Sequence, residues 1–266
     1  MLAFPDFRGA TRRLILINLA AYFILLLVGL MSSSAGKIAG ALTFDPYSFI
    51  HGALWQSFTY SLIHFGILGT LFELLSLWFI AGFLEGLHDS NWVMSLYVVS
   101  VLATAAAALA LYAVSITLAP SLLTKALPLY GCFGGIFGLL AAIGILYGDT
   151  QFMLFPLPIG IKARYLVVVY VLVAVAMLFG QERMYAFAQL GGAVAGVGFA
   201  RMAPRRGFSF MFSESLYGLR NRYYRWKRRR AARKFEVYMR SQGRTVKFDG
   251  QGRLIDEDPD DKKRWN

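Results

Sequence analysis

Long apolar stretches separated by short polar segments fill the first three quarters of the chain, and a strongly charged segment follows them. Each stretch comes near the ~20 residues that an α-helix needs to cross the hydrocarbon core of a membrane. The stretches are 14–31, 58–84, 92–117, 128–148, 165–179 and 185–202. The pattern predicts an all-α membrane protein with a bundle of six transmembrane helices over 14–203, preceded by a short segment, 1–13. The first stretch is longer than the ~7–15-residue core of a signal peptide, so we expect an uncleaved first span.

Composition and charge agree with a membrane protein that carries a basic tail. Hydrophobic residues make up 57% of the chain, against the ~45–50% of a soluble domain. From Arg201 onward there are nineteen Lys or Arg and eight Asp or Glu, a net charge of +11, whereas the preceding residues have a net charge of only +1. Arginines flank the first and last stretches, so the positive-inside rule predicts that both termini are cytoplasmic.

Residues 204–266 are predicted to form this basic cytoplasmic tail, with a helix over about 216–242 and an alternating pattern at 244–255 that favours a small hairpin. We expect the helix to bind anionic lipid headgroups or an acidic partner surface. Tyrosine and tryptophan between the arginines also suit stacking on RNA, so RNA stays open, whereas DNA is not expected. The predicted binding residues are Arg220, Arg222, Arg225, Lys227, Arg228, Arg229, Arg230, Arg233 and Lys234.

Small residues recur at helical spacing in the fourth and sixth stretches. Ridges of this kind let two transmembrane helices approach until their backbones touch. We therefore predict that these two helices pack closely. The residues assigned to the packing are Gly131, Gly134, Gly135, Gly138, Gly191, Gly192 and Gly196.

The second stretch contains an ionisable residue, Glu73, which shares a helical face with Gly66, Gly69 and Ser76. A charge at the bilayer centre costs about 2.5–3.5 kcal/mol on insertion scales, so this face is expected to point into the bundle. Glu73 then either belongs to a functional site or makes a structural hydrogen bond between helices.

Two further residues are given structural interpretations. His64 is expected to hold the preceding loop by hydrogen bonding, and nothing near it in sequence has the spacing of metal ligands. Cys132 is interpreted as a small buried thiol, because a nucleophilic cysteine needs a base or another environment that lowers its pKa. The single cysteine also excludes an intramolecular disulfide. No metal and no cofactor is predicted.

Four segments resemble the rhomboid family of intramembrane serine proteases in order and spacing. Segment 55–64 reads WQSFTYSLIH, 82–85 reads GFLE, 131–140 reads GCFGGIFGLL and 188–196 reads AQLGGAVAG. The resemblance covers roughly residues 10–203 and implies the rhomboid six-helix fold. It also implies structural roles for the residues that match the loop and second-helix motifs, namely Trp55, His64 and Glu85.

The same resemblance implies that catalysis has been lost. Phe133 stands where the family has its nucleophilic serine, and Gln189 where it has the histidine of the dyad. Gly69 and Glu73 stand at the histidine and asparagine that support the oxyanion. A phenyl ring is no nucleophile and an amide is no general base, so we predict a rhomboid pseudoprotease. We expect Phe133 to fill the former site, and Gln189 to hydrogen-bond Glu73 or a backbone group.

The functional expectation is a non-catalytic structural or accessory subunit of a larger membrane complex. The alternative is an adaptor that binds transmembrane clients for quality control or trafficking, and residual intramembrane proteolysis is a remote alternative. Partners would be membrane lipids and other membrane proteins. The similarity to bacterial rhomboids makes a bacterial inner membrane the expected location.

Overall fold

The computed structural model describes residues 5–32, 34–118, 128–154, 159–180, 182–202 and 208–243, together with Phe248. The chain divides into two compact units, Met1–Phe208 and Ser209–Asn266, which we describe separately. The described elements are α1 Gly9–Met31, α2 Ala35–Leu42, α3 Pro46–Ile50, α4 Gln56–Thr59, α5 Ile67–Glu85, α6 Ser90–Thr117, α7 Phe133–Leu146, β1 Gln151–Leu154, β2 Ile159–Lys162, α8 Ala163–Met177, α9 Arg183–Met202 and α10 Phe208–Ser241.

Three of the described helices, α1, α5 and α6, are long and apolar enough to cross a membrane. Helices α7 and α8 are apolar but shorter, with 14 and 15 residues. The prediction of a mostly helical protein with transmembrane helices is therefore confirmed. The count of six spans stays a prediction.

The core of the first unit lies where α6, α7 and α9 pack together. A Cβ added to Gly192 would lie 2.6 Å from the Gly134 carbonyl oxygen, and one added to Gly196 would lie 2.6 Å from the Gly138 Cα. At this separation only hydrogen fits between the two helix backbones, as in small-residue packing within membranes. The other glycines assigned to packing also face close neighbours: Gly131 lies against Glu73, Gly134 against Thr104, Gly135 against Tyr97, Gly138 against Ser100 and Gly191 against Ala107.

Glu85, at the end of α5, caps the start of α1. Its Oε1 accepts a hydrogen bond from the Ala10 N–H at 2.6 Å, and its Oε2 accepts one from the Thr11 N–H at 2.9 Å. The Ser90 hydroxyl also donates to Glu85. The first N–H groups of a helix have no partner within it, and a carboxylate there complements the helix dipole. Glu85 thus links α1, α5 and α6.

The segment before α5 is more structured than a simple loop, and the second long helix begins later than residue 58. Helices α2, α3 and α4 occupy part of 32–57, and a 3₁₀ turn follows at Tyr60–Leu62. Gly66 then takes φ = +77°, a conformation that favours glycine and separates this segment from the start of α5 at Ile67.

The connection between α7 and α8 contains a hairpin that the sequence pattern did not predict. β1 and β2 pair antiparallel, with Gln151 opposite Lys162. Asp149 lies 3.6 Å from the Lys162 ammonium and also pairs with Arg164. Pro156 and Pro158 fall between the two strands in sequence.

Helix α10, which makes up most of the described part of the second unit, begins at Phe208, well before the predicted start near 216, because residues 208–215 contain neither glycine nor proline. Its basic residues from Arg225 to Lys234 are exposed. The side chains of Arg220 and Arg222 lie outside the described part of the chain. Most of the predicted hairpin, 244–255, also lies outside the described residues; Phe248 is described and packs edge-on against Phe235.

Candidate functional site

Glu73 lies on the buried face of α5, with Thr70, Leu74 and Leu77. Its carboxylate faces the first turn of α7, where Oε1 accepts a hydrogen bond from the Phe133 N–H at 3.1 Å. A helix start presents unpaired N–H groups and partial positive charge, so an anionic side chain is well placed there. Glu73 therefore joins two helices, as the structural interpretation of this residue requires.

Gly131 provides the room for this contact. It has φ = +85°, and a Cβ added there would lie 2.5 Å from Glu73 Oε1. Its N–H donates to the carbonyl oxygens of Tyr60 at 3.0 Å and Ile63 at 2.8 Å, which ties the chain before α7 to the segment before α5. The left-handed backbone and the close carboxylate both require glycine here.

His64 reaches the same place from the segment before α5, and its side chain is fully buried. The Nδ1 atom lies 3.1 Å from the Leu62 carbonyl oxygen. A carbonyl oxygen can only accept a hydrogen bond, so Nδ1 carries the proton and Nε2 presents a lone pair. Nε2 has no hydrogen-bond partner among the described residues and lies 3.6 Å from Glu73 Oε2.

Cys132 completes a buried group with these two residues. Its Sγ, the Nε2 of His64 and a carboxylate oxygen of Glu73 all lie within 4.8 Å of one another. We call this group the His64–Glu73–Cys132 cluster. The sequence shows no metal-ligand spacing near His64, yet the fold brings three possible ligand side chains together. Sequence spacing could not reveal the cluster, because the fold brings Cys132 from a distant segment.

The cluster also changes the interpretation of Cys132 as a nucleophile. A histidine nitrogen and a carboxylate lie near the thiol, so a base is present where none was expected. The thiol is nevertheless completely buried, directly before α7. A buried sulfur that no substrate can reach cannot act as a nucleophile even with a base nearby, so the interpretation as a buried thiol still fits best.

The structure brings the two positions that match the rhomboid dyad, Phe133 and Gln189, only partly together. Phe133 is half-buried and packs against an apolar group that includes Phe137 and Tyr170, while its N–H contacts Glu73. Gln189 is 6% exposed and helps to line a small cavity beside Gly131. Its side chain makes no hydrogen bond to Glu73 within the described part of the structure. Gln189 therefore faces the interior. Phe133, in contrast, is not one of the residues that line this cavity.

The predicted face of α5 is expected to point into the bundle along its whole length, and this expectation is wrong for the start of the helix. Gly66 and Gly69 are exposed, and nothing lies within 4 Å of a Cβ added to either. Ser76 is half-buried, and its hydroxyl donates to the carbonyl oxygen of Phe72 in the same helix. Neighbouring elements cover α5 only from Thr70 onward, so the position that matches the family's oxyanion histidine opens outward.

Side chains of the segment before α5 hold its short helices together. The Trp55 indole N–H donates to the Ala41 carbonyl oxygen at 2.9 Å, and the Thr59 hydroxyl donates to the Leu42 carbonyl oxygen at 2.7 Å. The Tyr60 hydroxyl donates to the Val101 carbonyl oxygen at 2.8 Å. Hydrogen bonds thus join the parts of the segment that carries His64 to one another and to α6.

A family model described as "Eukaryotic integral membrane protein (DUF1751)" matches residues 14–201, from α1 almost to the end of α9. No curated protein matches the chain. The match supports an integral membrane protein. The eukaryotic description does not support the expected bacterial inner membrane, so that assignment is withdrawn.

Proposed function

The chain belongs to this family of eukaryotic integral membrane proteins, and from that premise we propose that it is a rhomboid-like pseudoprotease. In this proposal it acts as a non-catalytic accessory subunit of a larger membrane assembly. Helices α1, α5, α6, α7, α8 and α9 form the six spans, and both termini are cytoplasmic.

One observation carries the non-catalytic part of the proposal: the Glu73 carboxylate accepts the Phe133 N–H. This N–H belongs to the residue at the position of the family's nucleophile. A protease needs free donors at its site to stabilise the negative charge of the transition state, and one such donor contributes about 2.7–4 kcal/mol. Here a carboxylate occupies the donor and would repel that charge.

The side chains at the dyad positions support the same conclusion. Phe133 offers no nucleophile and Gln189 offers no base. Loss of the serine or histidine of a catalytic unit typically lowers kcat about 10⁶-fold. The buried polar groups are instead engaged in joining helices, as the contact from Glu73 to α7 and the cap of α1 by Glu85 illustrate.

Apolar faces on the outside of the bundle support a role in binding other membrane proteins. On α5, four large apolar side chains are more than half exposed: Ile67, Leu68, Leu71 and Phe72. On α8, Val168, Val169, Leu172 and Val173 are exposed in the same way. Lipid or other transmembrane helices must cover both faces in a membrane.

The basic helix supports attachment to an anionic membrane surface. Tyr223, Tyr224 and Trp226 are about half exposed, and the Arg230 guanidinium lies 5.4 Å from the centre of the Trp226 ring. Aromatic and basic residues together suit the headgroup region, where each basic residue contributes about 1 kcal/mol near an anionic surface. We therefore propose lipid as the first partner of this helix.

A second candidate function is the adaptor. Helices α5 and α8 each pack against α7, and their mutual contact is minor among the described residues. Phe133 lies at the start of α7, half-buried. The exposed apolar faces of α5 and α8 would give a client helix a place to lie, which favours this alternative.

Site-specific photo-crosslinking in the native membrane tests both functions. A photoreactive residue would replace Phe72 on α5 or Val169 on α8, and Leu102 on α6, which is 43% exposed, serves as the control position. The accessory-subunit proposal predicts one or two products of defined mass from α5 or α8. Many weak products from both helices would instead favour the adaptor, and lipid adducts alone at every position would contradict both.

A further inference from the structure

We propose that His64, Glu73 and Cys132 bind a divalent transition-metal ion, with Zn²⁺ as the ion that their donor atoms favour. The ion would join the segment before α5, α5 itself and the start of α7. This inference does not rest on the proposed function, because a metal site of this kind is compatible with a subunit, an adaptor or another role.

The donor atoms suit zinc chemically. An imidazole nitrogen, a carboxylate oxygen and a thiolate sulfur are its usual protein ligands, and thiolate together with imidazole selects against hard ions such as Mg²⁺. Tetrahedral bonds of about 2.0–2.3 Å place neighbouring ligand atoms roughly 3.3–3.8 Å apart. Nε2 of His64 is 3.6 Å from Oε2 of Glu73, and no pair of the three ligand atoms exceeds 4.8 Å. A shift of about 1 Å would complete the geometry.

The groups around the cluster orient its atoms as they do in known metal sites. A ligating histidine usually donates its other ring N–H to a carbonyl or carboxylate, which fixes the tautomer. His64 does this through Nδ1 and the Leu62 carbonyl oxygen. Glu73 likewise accepts the Phe133 N–H with Oε1 and leaves Oε2 facing His64. Both supporting hydrogen bonds therefore leave the ligand atoms free.

An unpartnered polar atom at the cluster provides an independent argument. The His64 side chain is fully buried, and its Nε2 has no hydrogen-bond partner among the described residues. A buried polar atom without a partner is unfavourable, and a metal ion would satisfy the lone pair of His64.

The charges of the cluster balance with a divalent ion. The Glu73 carboxylate and a Cys132 thiolate together neutralise two positive charges, so the buried group becomes neutral as a whole. On binding, the metal–sulfur bond replaces the S–H bond and the proton leaves to solvent. Without a metal, the Nε2 of His64 has no hydrogen-bond partner among the described residues.

The test uses the full-length protein in detergent. Metal content is first measured by inductively coupled plasma mass spectrometry after purification without chelator. The protein is then stripped with a chelator and titrated with Co²⁺, which reports sulfur ligation through a thiolate-to-metal charge-transfer band. We expect about one metal ion per chain and a saturable Co²⁺ band that added Zn²⁺ removes.

Variants assign the signal to the cluster. Cys132→Ser should abolish the charge-transfer band, and His64→Gln should weaken Co²⁺ binding by at least about tenfold. The matched control is His51→Gln, because His51 is exposed and hydrogen-bonded only to Tyr47 in the structure described. This control should bind Co²⁺ like the wild type.

Two results would overturn the proposal. One is a helical wild-type protein that carries no metal and shows no band at saturating Co²⁺. The other is a band that persists in Cys132→Ser, since Cys132 is the only cysteine. The wild-type result decides the question even where a variant fails to fold, and none of these outcomes bears on whether the protein binds membrane partners.

Discussion

At the scale of single residues, Glu73 and Gly131 determine how the start of α7 meets the rest of the bundle. The carboxylate of Glu73 occupies the space beside Gly131 and satisfies the N–H of Phe133. These two residues therefore act together: one provides the acceptor and the other provides the room. A substitution at either residue should therefore disturb the contact that the other makes.

The first prediction concerns the acceptor at residue 73. Glu73→Gln retains an oxygen for the Phe133 N–H, whereas Glu73→Met has similar length and no comparable acceptor. We expect the methionine variant to be less stable than the glutamine variant by about 1–3 kcal/mol, because a buried N–H is left unsatisfied. Unfolding titrations in detergent measure the difference. Equal stability of the two variants would show that the hydrogen bond is unimportant.

The second prediction concerns Gly131→Ala. Its Cβ would meet Glu73 Oε1 at 2.5 Å, and the residue would have to keep φ = +85°. The backbone strain alone costs about 1–2 kcal/mol, so we expect a loss of at least 2 kcal/mol in the same titration. Gly36→Ala is the matched control, because nothing lies within 4 Å of a Cβ there and its φ is ordinary. A Gly131→Ala variant as stable as this control would contradict the assignment.

The third prediction concerns pH and His88, which lies between α5 and α6. Its ring stacks on Trp92 with centres 3.9 Å apart, and its Nε2 lies 2.8 Å from the Tyr147 hydroxyl. Burial lowers the pKa of His88, and the charge of Asp89 opposes this only in part. The folded state thus favours neutral histidine, so the contribution to stability is complete above about pH 6.5 and is lost as the pH falls below it.

Thermal unfolding of the wild type and of His88→Gln at several pH values tests whether His88 lowers the stability of the fold as the pH falls. The wild type should lose stability relative to the variant on acidification through the ordinary histidine range, because glutamine does not titrate. If the stability of the two proteins changes identically with pH, groups other than His88 cause the change.

At the scale of elements, side-chain pattern explains some boundaries and backbone detail explains others. Helices α1, α6 and α9 follow apolar stretches that the sequence displays openly. The start of α5 depends instead on the positive φ of Gly66, and α10 begins earlier than its arginines suggest. The basic helix differs from the others because its exposed face is charged and aromatic.

The fourth prediction concerns this helix. In nanodiscs with anionic lipid, chymotrypsin should cleave α10 several-fold more slowly than in neutral nanodiscs, and salt should reduce the protection. Replacement of Arg228, Arg229 and Arg230 by Gln should remove the lipid dependence while the aromatic cleavage sites remain. Protection that is equal in neutral and anionic nanodiscs would contradict a headgroup interaction.

At the scale of the whole molecule, the sequence predicted the helical membrane protein and the burial of Glu73, because apolar length and the cost of an intramembrane charge are local properties. It also placed the glycines of α7 and α9 on helical ridges that do pack. It did not predict the His64–Glu73–Cys132 cluster, because only the fold brings its three members together. The outward position of Gly69 likewise depends on where neighbouring elements begin to cover α5.

The proposed rhomboid-like pseudoprotease would keep the glycines of an enzyme family's site and lose its chemical groups. The glycines at the start of α7 match the family's motif, whereas Phe133 and Gln189 stand at the positions of its dyad, and Glu73 contacts the start of α7. Partner identity is not encoded in this internal arrangement. In our proposal it depends on the outer faces of α5 and α8 and on the basic helix.

The most direct test of a non-catalytic accessory subunit is native purification in a mild detergent, with particle mass and composition read by mass spectrometry. The account predicts a discrete particle, well above the 29.7 kDa of the chain, with other membrane proteins at fixed stoichiometry. A monomer without stoichiometric companions would contradict the account.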